Sequence, residues 1–290
     1  MIGRAACRGA ATIVNAIATG KGAAFGISLE ADASVELAEG SGPISLIEAN
    51  EGAGLAEACV RSVARRTPGP PAQYHGNIRI RSEIPISRGL KSSSAVSNAL
   101  VLASCRALGH EMSDLDLILS GIEESMKAGV TITGAFDDAC ACYYGGAVLT
   151  NNRTFEILKQ SPMDEDLELV IHVPTRRIAK SSVKDLDFSK IQKEVEKAFD
   201  LALRGQFLKA MEMNSRAYSK VLNVSEDIAE LARRHGALAA GISGTGPATV
   251  AVCGRGEAGP LSDVLKREEG SVLVARMNHV PAKEVTPRLL

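Results

Sequence analysis

The sequence predicts a protein of mixed helix and strand in two halves, and three stretches carry that expectation. Residues 25–37 alternate: Phe25, Ile27, Leu29, Ala31, Ala33, Val35 and Leu37 are set against Ser28, Glu30, Asp32, Ser34 and Glu36, the period of a strand. Residues 77–107 pass from alternation (Ile78, Ile80 and Ile84 opposite Arg79, Arg81 and Glu83) through a glycine- and serine-rich loop. They emerge in helical spacing at Val96, Ala99, Leu100, Ala103 and Ala107. Thr150-Asn151-Asn152-Arg153 is a polar turn behind the apolar run Ala147-Val148-Leu149 and is expected to end the first half, giving units 1–152 and 153–290.

Composition narrows the function classes. A chain of 290 residues with 45% hydrophobic content can bury one large core or two modest ones. Lys and Arg number 33 against 34 for Asp and Glu, a net charge of −1, which gives no support for a nucleic-acid or membrane-surface partner. Only 3% of residues are aromatic and Trp is absent, which argues against a stacking surface for single strands. The N-terminal MIGRAACRGAATIVNAIATG is only faintly like a signal peptide, because Thr12 and Asn15 interrupt its alanine-rich stretch. No run approaches a membrane span. The six cysteines form no CxxC pair and mostly sit in apolar runs, so reduced thiols in a cytoplasmic protein are expected rather than disulfides or zinc. None of this fixes an oligomeric state.

Taken in order, the chain first offers a near-miss. Asn15-x-x-x-x-Gly20-Lys21-Gly22 has the spacing of a Walker A loop, but Asn15 stands for its first glycine and Gly22 for its Ser/Thr. As a dinucleotide fingerprint it has Phe25 at the third glycine, so a turn feeding the strand is the better reading. Residues 51–66 read as a helix with Leu55, Cys59 and Val63 inward and Arg61, Arg65 and Arg66 on a solvated face. Thr67-Pro68-Gly69-Pro70-Pro71 ends it. Then comes Pro85-Ile86-Ser87-Arg88-Gly89-Leu90-Lys91-Ser92-Ser93-Ser94-Ala95, where strand hands over to helix. A helix start presents unpaired N–H groups and the positive end of the macrodipole, which suit a phosphate. One serine would serve as a cap; three behind Gly-Leu-Lys exceed what a cap needs and suit phosphate and Mg²⁺.

Ser113, with Asp116 three residues on, reads as an N-cap opening a helix through Leu117 and Ile122 to Glu123 and Glu124, closed by Gly129. An Asp pair, Asp137-Asp138, opens a short segment ending at Gly145-Gly146 and would ordinarily be read as a cap. The second half begins with strands at 155–158 and 167–173. A basic loop follows with Arg176, Arg177 and Lys180, either a charged connection or a hold for an anionic group. Helices are expected at 189–203, 207–222 and 225–234. Two apolar strands, 238–242 and 250–252, flank Ser243-Gly244-Thr245-Gly246-Pro247, and a helix and a strand at 271–276 complete the chain.

Pro85-x-x-x-Gly89-Leu90-x-Ser92-Ser93-Ser94-Ala95 resembles the nucleotide-binding signature of the GHMP kinases, which phosphorylate galactose, homoserine, mevalonate and related alcohols. The segment around Asp137 and the Ser243–Pro247 turn resemble the second and third motifs of that superfamily, in the same order. Two positions depart from the pattern: Lys91 stands where many members have glycine or alanine, and Asp138 where relatives often have Asn. The resemblance implies an α+β fold of two lobes, the first with a left-handed βαβ crossover and the second ferredoxin-like, with ATP and Mg²⁺ as cofactors and a small-molecule alcohol as acceptor. It implies that residues 85–95 (Pro85, Ile86, Ser87, Arg88, Gly89, Leu90, Lys91, Ser92, Ser93, Ser94, Ala95) with Gly244, Thr245 and Gly246 hold the nucleotide. Ser93 and Glu124 would hold the metal, with Glu123 in reserve. Asp137 would orient or deprotonate the acceptor hydroxyl, Lys91 would add charge, and Asn15, Lys21, Arg176, Arg177 and Lys180 would contact the acceptor.

Within the superfamily, Thr12-Ile13-Val14-Asn15-Ala16, Gly20 to Gly26, Arg88 to Ser94 and the length resemble the archaeal-type shikimate kinases. That implies transfer to the 3-hydroxyl of shikimate in aromatic amino-acid biosynthesis. The competing readings are another small-alcohol kinase such as a homoserine kinase and a non-catalytic nucleotide-binding regulator of the same fold. An oxidoreductase resting on Gly20-Lys21-Gly22 is a poor fourth.

Overall fold

A computed structural model describes residues 1–47, 52–69, 72–129, 131, 134–176, 178, 183 and 185–288. Its first sheet is built on one strand. β2 (Lys21–Glu39) runs 19 residues, and β1 (Ile2–Val14) lies antiparallel along one of its edges, from Ile2 opposite Glu36 to Val14 opposite Ala23. The other edge is shared. β4 (Tyr74–Ser82) pairs with residues 31–39 and β5 (Ala147–Asn151) with residues 21–25. β3 (Ile44–Ile47) joins β4 in parallel through α1 (Ala53–Arg66), the βαβ unit of the sheet.

Alternation revealed β2 and β4 but not β1. Residues Ala5, Ala6, Cys7, Ala10 and Ala11 are all fully buried, so both faces of β1 read as small and apolar and no period of two survives. The alanines have a use. α2 (Ser92–Leu108) packs on β1 and buries Ala95, Ala99 and Ala103, so two small-residue surfaces let helix and sheet approach closely. α3 (Asp114–Lys127) starts as expected, with Ser113 Oγ accepting from the Asp116 N–H at 3.1 Å. α4 (Phe136–Tyr144) packs on β1, β2 and β5.

The polar turn expected to separate the halves lies inside a hairpin. β6 (Glu156–Ser161) pairs antiparallel with β5, so the first sheet continues past residue 152 to Ser161. Near the C-terminus the chain returns to this sheet, where Ile27 bridges Met277.

The second sheet is antiparallel, in the order β10-β7-β9-β8: β7 (Glu168–Val173), β8 (Ala239–Ile242), β9 (Thr249–Cys253) and β10 (Ser271–Arg276). α5 (Gln192–Leu203) packs on α6 (Phe207–Leu222), and α6 touches both β8 and β1. A smaller core, including Val170, Ala240, Ala251 and Leu261, joins this sheet to α7 (Asp227–Arg234) and α8 (Ala258–Leu265). All six cysteines are unpaired and buried, and burial pushes the Cys7 and Cys59 thiols up to about 12. Among the described residues, no helix is long and apolar enough to cross a membrane.

α6 is the brace between the halves. The buried Tyr218 hydroxyl donates to the Asn15 carbonyl at 3.0 Å and accepts from the Ala18 N–H at 2.9 Å, while Asn214 Oδ1 accepts from the Asn15 N–H at 2.9 Å. Removing the hydroxyl would leave the buried Asn15 carbonyl and the half-buried Ala18 N–H without this partner. Tyr218→Phe is expected to lower unfolding stability by about 1–3 kcal/mol, measured by urea titration with an unchanged m-value.

Candidate active site

The serine-rich loop folds as a helix start without a side-chain cap. Lys91 occupies the N-cap position in the left-handed region (φ 64°), and its side chain makes no capping hydrogen bond to the first N–H groups of α2. Left-handed backbone costs an L-residue about 1–2 kcal/mol, so the conformation is imposed by its surroundings. Of the five non-glycine residues with positive φ among the described residues, Ser87, Lys91 and Ala135 all line the same cleft, of about 490 Å³. That volume suits a small-molecule site. Ser92, Ser93 and Ser94 line it beside the uncapped N–H groups.

The C-terminal turn closes one side. Gly89 has φ 87°, and a Cβ placed on it would lie 1.9 Å from the Ser243 carbonyl oxygen, so only glycine permits this approach. Ser243 Oγ donates to the Gly89 carbonyl at 2.8 Å and accepts from the Thr12 N–H at 3.1 Å; Thr12 Oγ1 accepts from the Gly244 N–H at 2.8 Å. The end of β1, the phosphate loop and the glycine turn are thereby tied together.

Opposite the loop, the first turn of α4 carries Asp137 and Asp138. Asp137 is buried; its Oδ1 accepts from Asn152 Nδ2 at 2.8 Å, and Thr150 Oγ1 fixes that amide by donating to Asn152 Oδ1 at 2.6 Å. A Cβ on Gly22 would fall 2.3 Å from Asp137 Oδ2, which explains the small residue that spoils the Walker-like spacing. Burial, reinforced by the Asp138 charge and opposed by Lys91 and Asn152, pushes the Asp137 carboxyl up to about 7. Lys91 Nζ lies 2.9 Å from Asp138 Oδ1, both side chains largely buried.

Most of the expected nucleotide residues meet here: Pro85, Ile86, Ser87, Gly89 to Ser94, Gly244, Thr245 and Gly246 line the cleft. Arg88 and Ala95 do not. Arg88 reaches away to the carbonyls of Thr175 (2.8 Å) and Arg176, and Ala95 is buried beneath the helix start. Among the expected acceptor residues Asn15 lines the cleft, with its Nδ2 donating to the Gly244 carbonyl at 3.0 Å and its Oδ1 accepting from the Ile17 N–H. Lys21 lies over the Phe199 ring and Arg176 Nη2 donates to the Asn223 carbonyl, so neither reaches the cleft; Arg177 and Lys180 lie outside the described residues. Ser93 lines the cleft and Glu124 does not. The Glu124 carboxylate is held by Arg65 (3.2 Å) and Lys127 (3.1 Å), while Arg65 itself stays exposed on the face where it was expected. Arg66 likewise holds Glu123 at 2.6 Å. The uncapped helix start fits a nucleotide's phosphates; the expected Ser93–Glu124 pair does not assemble for a metal.

The chain matches the GHMP kinases N terminal domain over residues 54–146 and the GHMP kinases C terminal domain over residues 192–271. It is 39% identical to a protein named shikimate kinase from Methanococcoides burtonii over 96% of each chain. It is 41% identical to one of the same name from Pyrococcus furiosus, over 91% of this chain and 95% of that one. The chain belongs to the GHMP kinases. Solved structures agree on the fold. The L. major mevalonate kinase in complex with R-mevalonate superposes with TM-score 0.75 at 17% identity, covering 97% of each chain. The homoserine kinase from Cytophaga hutchinsonii gives 0.74 at 19%, covering 95% of each.

For a GHMP kinase, sequence reasoning missed Asn152, and it placed Thr12 and Ser243 in motifs without the hydrogen bonds that tie them together. Asn152 was legible only as a turn residue, because its partner lies 15 positions back across a hairpin. Two outcomes follow from this geometry. Gly89→Ala must displace the Ser243 turn, so weaker ATP binding by calorimetry should accompany a lower melting temperature. Asp137 keeps its proton to about pH 7 when folded but only to about 3.8 when unfolded, so its burial lowers stability progressively as pH rises from about 3.8 to about 7 and by a constant amount above that. Asp137→Asn should therefore raise the melting temperature at pH 8 more than at pH 4, measured by thermal unfolding.

Proposed function

We propose that this chain is an ATP-dependent shikimate kinase, transferring the γ-phosphoryl group to the 3-hydroxyl of shikimate. The observation that carries the reaction type is the buried Asp137 facing an uncapped, serine-rich helix start across one cleft. The acceptor follows from relatives at about 40% identity that span nearly the whole chain and bear that name.

Phosphoryl transfer needs alignment and charge neutralisation more than covalent help. The backbone N–H groups from Gly89 to Ser94 and the positive end of α2 receive the phosphates, with Thr245 and Gly246 across from them. ATP supplies the transferable phosphoryl group, and Mg²⁺ is proposed as its companion ion. Lys91 brings an ammonium to the same wall. Asp137 accepts or orients the acceptor proton. Its carboxyl titrates near the pH at which the enzyme would work, where a general base is most effective. Asn152 fixes one carboxylate oxygen, leaving Oδ2 over Gly22 as the reactive edge. Buried free thiols are compatible with a reducing cytoplasm.

The test is coupled ADP release with MgATP, presenting shikimate, homoserine and mevalonate separately. Turnover is expected with shikimate alone, rising with pH through about 7 and lost by ~10³-fold or more in Asp137→Asn. Turnover with another alcohol and none with shikimate would remove the acceptor assignment.

A further inference from the structure

Lys91 and Asp138 meet across the cleft from two different elements, one at the N-cap of α2 and the other in the first turn of α4. Their closest atoms are 2.9 Å apart, with side chains 7% and 17% exposed. The contact is a charge pair without hydrogen-bond alignment, so the ammonium keeps donors for another ligand. A third element fixes the place: a Cβ on Gly244 would lie 2.9 Å from Lys91 Nζ, so the ammonium lies close against the glycine turn. Lys91 also acts on Asp137, whose charge it favours. Without a carboxylate anchor, a lysine side chain with four rotatable bonds would lose this placement to rotamer freedom and to the pull of Asp137 itself.

Resting on the kinase reading above, we propose that Asp138 is a positioning residue: it holds the Lys91 ammonium between the phosphate loop and the Gly244 turn, where that charge meets the transferred phosphoryl group. Asp138 touches neither reactant in this role and acts through Lys91. Asp137 is thereby left as the carboxylate for the acceptor hydroxyl, so the two adjacent acids divide the work.

The experiment is a double-mutant cycle of Asp138→Asn and Lys91→Met in the coupled assay, with ATP affinity measured on the same four proteins by calorimetry and melting temperatures recorded. Asp138→Asn should lower kcat roughly 10- to 100-fold while the acceptor KM stays within about threefold, and Asp138→Glu should recover part of the loss. In the Lys91→Met background the same Asp138→Asn change should cost less than about twofold, since its target is gone. Equal losses in both backgrounds, or wild-type kcat in Asp138→Asn, overturns the proposal. Should Asp138→Asn fail to fold, Asp138→Glu and Asp138→Ser carry the cycle. If wild type leaves shikimate unphosphorylated, the function assignment fails and the cycle is read in ATP affinity. A shift on Asp138→Asn that disappears with Lys91→Met then supports the pairing, and an equal shift or none sinks it.

Discussion

The site depends on one close approach, that of the Gly89 backbone to Ser243. Two hydroxyls make it possible. Ser243 serves Gly89 and Thr12 together, Thr12 serves Gly244, and the Ala248 N–H adds a bond to the Arg88 carbonyl at 3.2 Å. Buried polar groups are tolerable only when partnered, and this knot leaves each of those hydroxyls satisfied by backbone from another segment. The left-handed Lys91, the open N–H groups behind it and the seating of Thr245 and Gly246 over the cleft all presuppose that contact.

Charge then finds its place in a wall already built. Two carboxylates and one ammonium share the largely buried end of the cleft, and polyanionic phosphates would have to enter beside them. Lys91 offsets one carboxylate, and Asn152 supplies a neutral donor to the other. The remaining imbalance falls on Asp137, where burial is deepest and the proton is held longest. The raised Asp137 carboxyl is thus a consequence of burying it over Gly22 rather than of any special side-chain chemistry.

Much of this was legible in the chain. That the serine-rich loop, the glycine turn and Asp137 share one cleft was foreshadowed because each is a local pattern with a local reason. α6, at Phe207–Leu222, and β10, at Ser271–Arg276, fall where the hydrophobic period puts them. What escaped reading depends on partners far along the chain. β1 lost its alternation because both its faces are buried, and the expected boundary at residue 152 proved to be a hairpin turn because a polar turn looks alike inside a sheet and between lobes. Lys91 and Asp138 each read as an isolated departure from the family pattern, and only their 2.9 Å contact makes them one feature.

Helix geometry explains why Glu124 lies off the cleft. The residues of α3 that line the cleft are Ile122 and Ser125, with Gly129 just beyond its end, spaced as one face of a helix. Glu124 is one position from Ser125 and so turned about 100° away, toward α1, where Arg65 meets it. Lys127, three residues on, closes the same side. An acid on the cleft stripe would have to stand at 122, 125 or 129, and those positions hold Ile, Ser and Gly. Among the residues described as lining the cleft, the acids are therefore Asp137 and Asp138 alone, both on the first turn of α4. A single wall thus carries the cleft's acids, and the helix start facing it presents serines and backbone N–H groups without an acid among them.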